Sequence, residues 1–177
     1  MSTEGWTGSS TPYLEEGQGD VWRDEAATQG RKGSQRITWA GELEPPKAVM
    51  SALGLPPDSH AISRQRLILL DDQPVELANS YWPMEIAQNT DLAQPKKIRG
   101  GAVTLLAGLG HRPSSVDEVV HTRPPTDEER RTLQLADTEW VLVLTRTITG
   151  EDGRPYEAAV NVSPGRVGRL NYSMKVD

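Results

Sequence analysis

Arg64 and Arg66 stand two residues apart in the stretch ISRQRLILLDDQPVELANSYWP, Ile62 to Pro83. On an extended strand a two-residue step returns a side chain to the same face, so both guanidinium groups point one way. Two such cations repel unless an anion, a carboxylate or a phosphate, lies between them. Glu76 sits on the returning strand, and Glu157 holds the matching place in a later hairpin; each follows a proline by two residues. Paired carboxylates can do acid–base work, accept hydrogen bonds from hydroxyl or amine groups, or neutralise arginines. The alternative is a solvated strand face with each arginine paired to a nearby carboxylate, and the local pattern by itself favours that alternative. Whether Glu76 shares the arginine face depends on the turn. A three-residue loop, Asp71 to Gln73, pairs Ile68 with Glu76 and puts it beside the arginines; a two-residue loop, Asp72-Gln73, puts it opposite.

Gly100-Gly101 open a helix near Ala102, next to Arg99. A glycine-rich helix entry can offer free amides to an anion, although a tight turn is the commoner reason for such a pair. The three histidines, His60, His111 and His121, lie far apart and lack metal-ligand spacing. No metal, cofactor or catalytic residue is expected. The chain has no cysteine, which excludes disulfides, zinc–thiolate sites and thiol catalysis. Nucleophile-elbow, Walker A and dinucleotide-binding motifs are missing. A net charge of -6 argues against the chain gripping nucleic acid on its own. No apolar run approaches the roughly 20 residues of a membrane span, and the N-terminus does not read as a signal peptide. A cytoplasmic protein with no membrane contact is the expectation.

The elements that must position these residues follow from pattern and punctuation. At 177 residues the chain suits one domain. Residues 1–18, rich in Gly, Ser and Thr, read as a flexible N-terminal arm, and 19–177 as the domain. Asp20 caps a short helix that Gly30 closes. SQRITWAGEL reads as a strand, and Pro45-Pro46 open a helix that Gly54 stops. After the quoted hairpin comes a connection with two prolines and one short helical turn, then the helix of RGGAVTLLAGLG and the strand of HRPSSVDEVVHTRPP. Thr126 caps the next helix, with Glu129 as its capping-box partner. WVLVLTRTITGEDGRPYEAAVNVSP is a second hairpin. Trp22, Trp39, Trp82 and Trp140 are assigned to the core or a pocket wall, and Trp6 to the arm.

Laid side by side, two stretches share one plan: Pro-Pro, a short helix ending in Leu-x-Leu, a strand with an aligned arginine, an acidic turn, Pro-x-Glu, and a strand ending in proline. Leu53, Leu55 and Arg66 recur 80 residues later as Leu133, Leu135 and Arg146, and Glu76 recurs 81 later as Glu157. Two copies indicate an internal duplication rather than a solenoid. A lone hairpin cannot bury its apolar face, so the two should join in one antiparallel sheet covered by helices, an α+β domain.

These hairpins, with GGAVTLLAGLGHRP between them, resemble the UTRA effector-binding domain of HutC-subfamily GntR transcriptional regulators, over about Gly19 to Tyr172. The resemblance implies a chorismate-lyase-like fold, an antiparallel sheet flanked by helices. It implies a ligand-sensing domain, not an enzyme, that binds a small anionic or polar effector and is a homodimer. It implies that DNA is reached only through a winged helix-turn-helix that this chain lacks. It also implies effector contacts at Arg64, Arg66, Glu76, Gly101, Glu157 and Asn161, and so reverses the local reading of the arginine face. Two departures bear on the ligand: Gly101 stands where sugar-phosphate-responsive members have a serine, and Ser163 where they have a tyrosine. Met1 and the arm favour a stand-alone protein over a piece of a regulator. Competing readings are a chorismate-lyase-like enzyme and an interaction module that modulates a full-length GntR partner.

Overall fold

The computed structural model describes residues 10–172. Their helices are α1 (Val21–Thr28), α2 (Lys47–Ala52), α3 (Met84–Ala87), α4 (Gly101–Gly108) and α5 (Asp127–Thr132). The strands are β1 (Gly33–Leu43), β2 (Ala61–Leu70), β3 (Gln73–Pro83), β4 (Pro113–Arg123), β5 (Val141–Gly150) and β6 (Pro155–Pro164). All strand pairs are antiparallel, in one sheet of order β1-β2-β3-β6-β5-β4. The order is a palindrome: the second half repeats the first about the β3–β6 seam.

The duplication is larger than the hairpin unit. Val21 to Val141, read against the element bounds, shows α1 and α4, β1 and β4, α2 and α5, and β2 and β5 each starting 80 residues apart. Gly30 and Gly110, 80 apart, both take the left-handed backbone that ends their helices. Each unit is therefore helix, strand, helix, hairpin. Asp20 caps α1 by accepting from the Arg23 amide at 3.3 Å, and Thr126 with Glu129 completes the capping box of α5.

One face of the sheet carries α2 and α5. Leu67, Leu133, Val141, Val143 and Val162 bury against each other there, and Val49, Leu53, Tyr81 and Ala158 form a second cluster. The other face carries α1 and α4. Trp22 and Ala26 of α1 pack on Ile68, Leu70 and Ala78, while Leu106 of α4 joins Ile62, Trp82, Ile148 and Tyr156. At Gly33, β1 and α1 come so close that an added Cβ would lie 2.8 Å from the Trp22 carbonyl oxygen.

Two tryptophans correct the sequence expectation. Trp39 is 47% exposed and Trp140 55% exposed. Trp39 follows a register shift in the edge strand β1, and Trp140 precedes β5, so neither faces a covered layer. Trp22 and Trp82 are buried as expected; Trp6 lies outside the described residues. Residues 10–18 depart from the expected arm. They hold a 3-10 turn, Thr11–Leu14, whose Leu14 packs against the core. Arg112 Nε donates to Glu16 at 2.9 Å, and the Gly17 amide donates to Thr104 at 3.1 Å. The rest of that expected arm, 1–9, lies outside the described residues.

Candidate functional site

The hairpin register decides which residues meet. The β2–β3 turn is Asp71-Asp72, both left-handed, the backbone of a tight two-residue hairpin. Such a turn alone would leave Glu76 opposite the arginines. A bulge prevents this: Leu69 pairs with Pro74, yet Ile68 pairs with Glu76. Val75 is the extra residue, and it resets the two-residue alternation. Pro74 has no N–H for the ladder, which suits it to a bulge. Neither turn weighed from sequence forms, but the pairing of Ile68 with Glu76 does. The second hairpin repeats the device, with Thr149 opposite Pro155 and Ile148 opposite Glu157. Both glutamates therefore share a face with the arginines of their own hairpins, and the β3–β6 seam joins the two sets, pairing Ala78 with Asn161 and Ser80 with Ala159.

Ala78, Ser80 and Ala159 are small, so the middle of this face is hollow. A cavity of about 1010 Å³ lies over it, walled by α1, the 10–18 segment, residues 97–103 and residues 167–170. Arg64, Arg66, Glu76, Gly101, Glu157 and Asn161 all line it. So do Tyr13 and Arg146, which sequence reasoning did not place there. The 80-residue offset had already matched Arg146 to Arg66; only the seam shows that the two sit over one cavity. Among the described residues, eight basic and four acidic side chains line it, in a chain of net charge -6.

The charged groups differ in what holds them. Arg64 is committed: Nη1 donates to the carbonyls of Asp91, Leu92 and Gln94 at 3.1, 3.4 and 2.5 Å, and Nη2 to that of Lys96 at 2.8 Å. It clamps the connection leading to α4. Arg66 makes one long bond, Nη1 to Gln35 at 3.4 Å, and its buried Nε has no partner. The Nε of Arg146 is likewise buried and unpartnered, and its Nη2 lies 4.0 Å from Glu157. Glu157 accepts from Trp82 Nε1 at 2.9 Å. The Glu76 carboxyl makes no side-chain hydrogen bond to another described residue. Solvent in the cavity reaches its side chain, yet protein surrounds it.

Burial sets the proton affinities. Desolvation raises the Glu76 carboxyl to about 7, against the pull of Arg66 and Arg146. Burial also raises Glu157, opposed by Arg146, the Trp82 hydrogen bond and Arg66. Burial pushes Arg66 down, and the two glutamates resist. Tyr13 donates to Glu25 at 2.6 Å; burial and that carboxylate push its hydroxyl far up. At the α4 entry both Gly100 and Gly101 are left-handed. A serine at Gly101 would be strained there, which gives the glycine a backbone reason. The cluster can thus bind an oxyanion at unsatisfied guanidinium edges and accept donors at two carboxylates. Among the described residues no His, Cys, Asp and Glu group could hold a metal ion.

The sequence pattern of the UTRA domain matches residues 28–167. The chain belongs to the UTRA domain family. It is 30% identical over 168 residues to an uncharacterized HTH-type transcriptional regulator of Streptomyces coelicolor, covering 88% of this chain and 62% of that relative. The chain thus spans about three-fifths of the curated relative it matches. A GntR-family transcriptional regulator of known structure, 25% identical, superposes with a TM-score of 0.75 over 88% of this chain and 64% of its own. The effector domain of PhnF from Mycobacterium smegmatis does so at 0.73, with 15% identity, over 88% and 94% of the two chains. The C-terminal domain of the histidine utilization repressor of Pseudomonas syringae pv. tomato gives 0.70, with 16% identity, over 82% and 100%. At such identities the last two show the fold alone. No described helix is long and apolar enough to cross a membrane.

Proposed function

We propose that the domain senses a small anionic or polar metabolite and controls DNA binding by an associated winged helix-turn-helix, as in a GntR-type regulator of the HutC subfamily. The observation that carries this reading is the hollow, net basic cavity over the sheet of an acidic chain. The UTRA match and the 30% identity to an HTH-type transcriptional regulator support it. In this reading the protein is cytoplasmic and a homodimer, and the effector acts by binding two dimer geometries unequally; a ligand of equal affinity for both would shift nothing. Thermal denaturation with a metabolite panel tests it. An effector at 100 times its dissociation constant adds about 2.7 kcal/mol of stability. Arg66→Ala should abolish that gain; a gain that survives the substitution puts the effector elsewhere.

A further inference from the structure

The effector pocket reading leaves open which groups of the ligand meet which side chains. We propose that Arg146, the second repeat's counterpart of Arg66, is a further effector-binding residue. The two arginines hold one oxyanion between them, and Glu76 and Glu157 take hydroxyl or amine donors of the same molecule. This rests on the pocket reading and names the class of ligand it takes: a carboxylate or phosphate with a hydrogen-bond donor close by.

Three observations carry it. First, the register places Arg66 and Arg146 on the same face of the sheet, each two rungs from its glutamate's partner: Arg66 opposite Ala78 and Arg146 opposite Ala159, with the seam between. Second, both side chains are under-used. Each has a buried Nε without an acceptor, and a buried donor left unpaired is destabilising until a partner arrives. Arg146 is only 12% exposed, and the nearest carboxylate, at 4.0 Å from Nη2, is too far to hydrogen-bond. A guanidinium edge of Nε and Nη is the geometry that grips an oxyanion by two parallel bonds. Third, the carboxylates are under-used too. The Glu76 carboxyl has no side-chain hydrogen bond to another described residue, and that of Glu157 has one, from Trp82. Two spare donors beside two spare acceptors describe a ligand that carries both an anion and donors. Arg64 does not fit this role, because four backbone carbonyls occupy its Nη groups.

The test is NMR of arginine Nε–H signals in the whole chain, titrated with acetate, glycolate and glycerol 1-phosphate. Arg66→Gln and Arg146→Gln assign the two signals. Both signals should move together, with one apparent dissociation constant, for glycolate, for glycerol 1-phosphate or for both; which of them acts separates a carboxylate from a phosphate source. Acetate, which lacks a donor, should bind at least tenfold more weakly. Arg146→Lys keeps the charge but loses the forked edge, and should weaken the titration of the Arg66 signal at least tenfold. If the Arg66 signal titrates alone, or none of the three probes moves both signals, the arginine pair is overturned. Acetate binding as well as glycolate would overturn the donor role of the glutamates. The sensing reading fails separately: both signals would move, but no metabolite of the thermal panel would stabilise the protein.

Discussion

The two halves of the sheet agree at the carboxylates and at one arginine, then part. Arg66 matches Arg146 and Glu76 matches Glu157, but Arg64 matches Leu144 and Trp82 matches Ser163. What the chain does after each hairpin explains the difference. After β3 it crosses the sheet through residues 84–100 to reach α4, and that crossing exposes backbone carbonyls that need donors. Arg64 supplies four hydrogen bonds to them, and Trp82 fixes Glu157 across the seam. Beyond β6 the described residues, 165–172, instead fold back over the end of β5. There Leu144 and Ser163 line the same cavity as Arg64 and Trp82, but with no loop to hold. Gly168 lies so close that an added Cβ would be 2.6 Å from Ser163 Oγ. Duplication thus supplied the charges, and divergence divided the neighbouring positions between holding a loop and shaping a cavity.

Arg64→Leu, which copies the second half into the first, breaks this comparison most directly. It strips donors from partly buried carbonyls and should cost about 3 kcal/mol or more in urea denaturation. It should also loosen residues 91–96, read as faster amide exchange. A near-neutral result would mean that Arg64 is no clamp.

The glutamates come next. Glu76 is raised to about 7 from an ordinary 4.5. Below 4.5 it is protonated in folded and unfolded chains alike and contributes no pH dependence. Between 4.5 and 7 the unfolded chain ionises first, so this group lowers stability as pH rises, by at most about 3 kcal/mol. Above 7 its contribution is flat. Glu76→Gln should remove that slope and leave a chain more stable than the parent above pH 7. Lowered carboxylates such as Glu129 and Asp71 slope the other way, so the difference between parent and variant is the quantity to plot. An unchanged slope would show that the Arg66 and Arg146 charges already balance Glu76.

Gly33 and Pro113 occupy equivalent strand starts. A Cβ at Gly33 would meet the Trp22 carbonyl oxygen at 2.8 Å and Ala26 Cβ at 2.9 Å. Gly33→Ala should therefore cost about 1–3 kcal/mol by forcing α1 off the sheet, whereas Pro113→Ala should be milder. Equal costs would mean that α1 can shift freely.

Much of this was legible from residue order. The hairpins, the Thr126 cap and the repeat follow from turn residues, capping pairs and period. What stayed hidden had physical causes. The repeat's first helix escaped notice because Trp22 and Ala26 in one copy stand where Ala102 and Leu106 stand in the other, so bulk moved while Gly30 and Gly110 kept the backbone. The face of Glu76 turned on a bulge that a proline permits but does not announce. Trp39 and Trp140 look like core residues by type, and only their places beside an edge bulge and before a strand expose them. The cavity wall at Tyr13 came from a stretch whose composition reads as an arm.

The smallest contrast lies between α2 and α5, each six residues long. Helices this short do not hold by propensity, so something else must hold them. In α2 it is burial: Val49 is 1% exposed, and Pro46 at the cap makes no side-chain bond. In α5 no residue is buried, and the ends do the work. Thr126 Oγ1 accepts from the Glu129 amide at 3.2 Å, and Glu129 accepts from the Thr126 amide at 2.8 Å. Arg123 grips both oxygens of Glu129 at 2.7 Å and, with the Thr126 amide, holds that carboxyl below its usual range. Thr126→Ala should then cost about 1 kcal/mol. Pro46→Ala removes no side-chain hydrogen bond and should cost about 0.5 kcal/mol or less. Urea denaturation of the two variants ranks them, and the reverse order would show that α5 is held by the Leu133 and Leu135 that follow it, as α2 is by Val49.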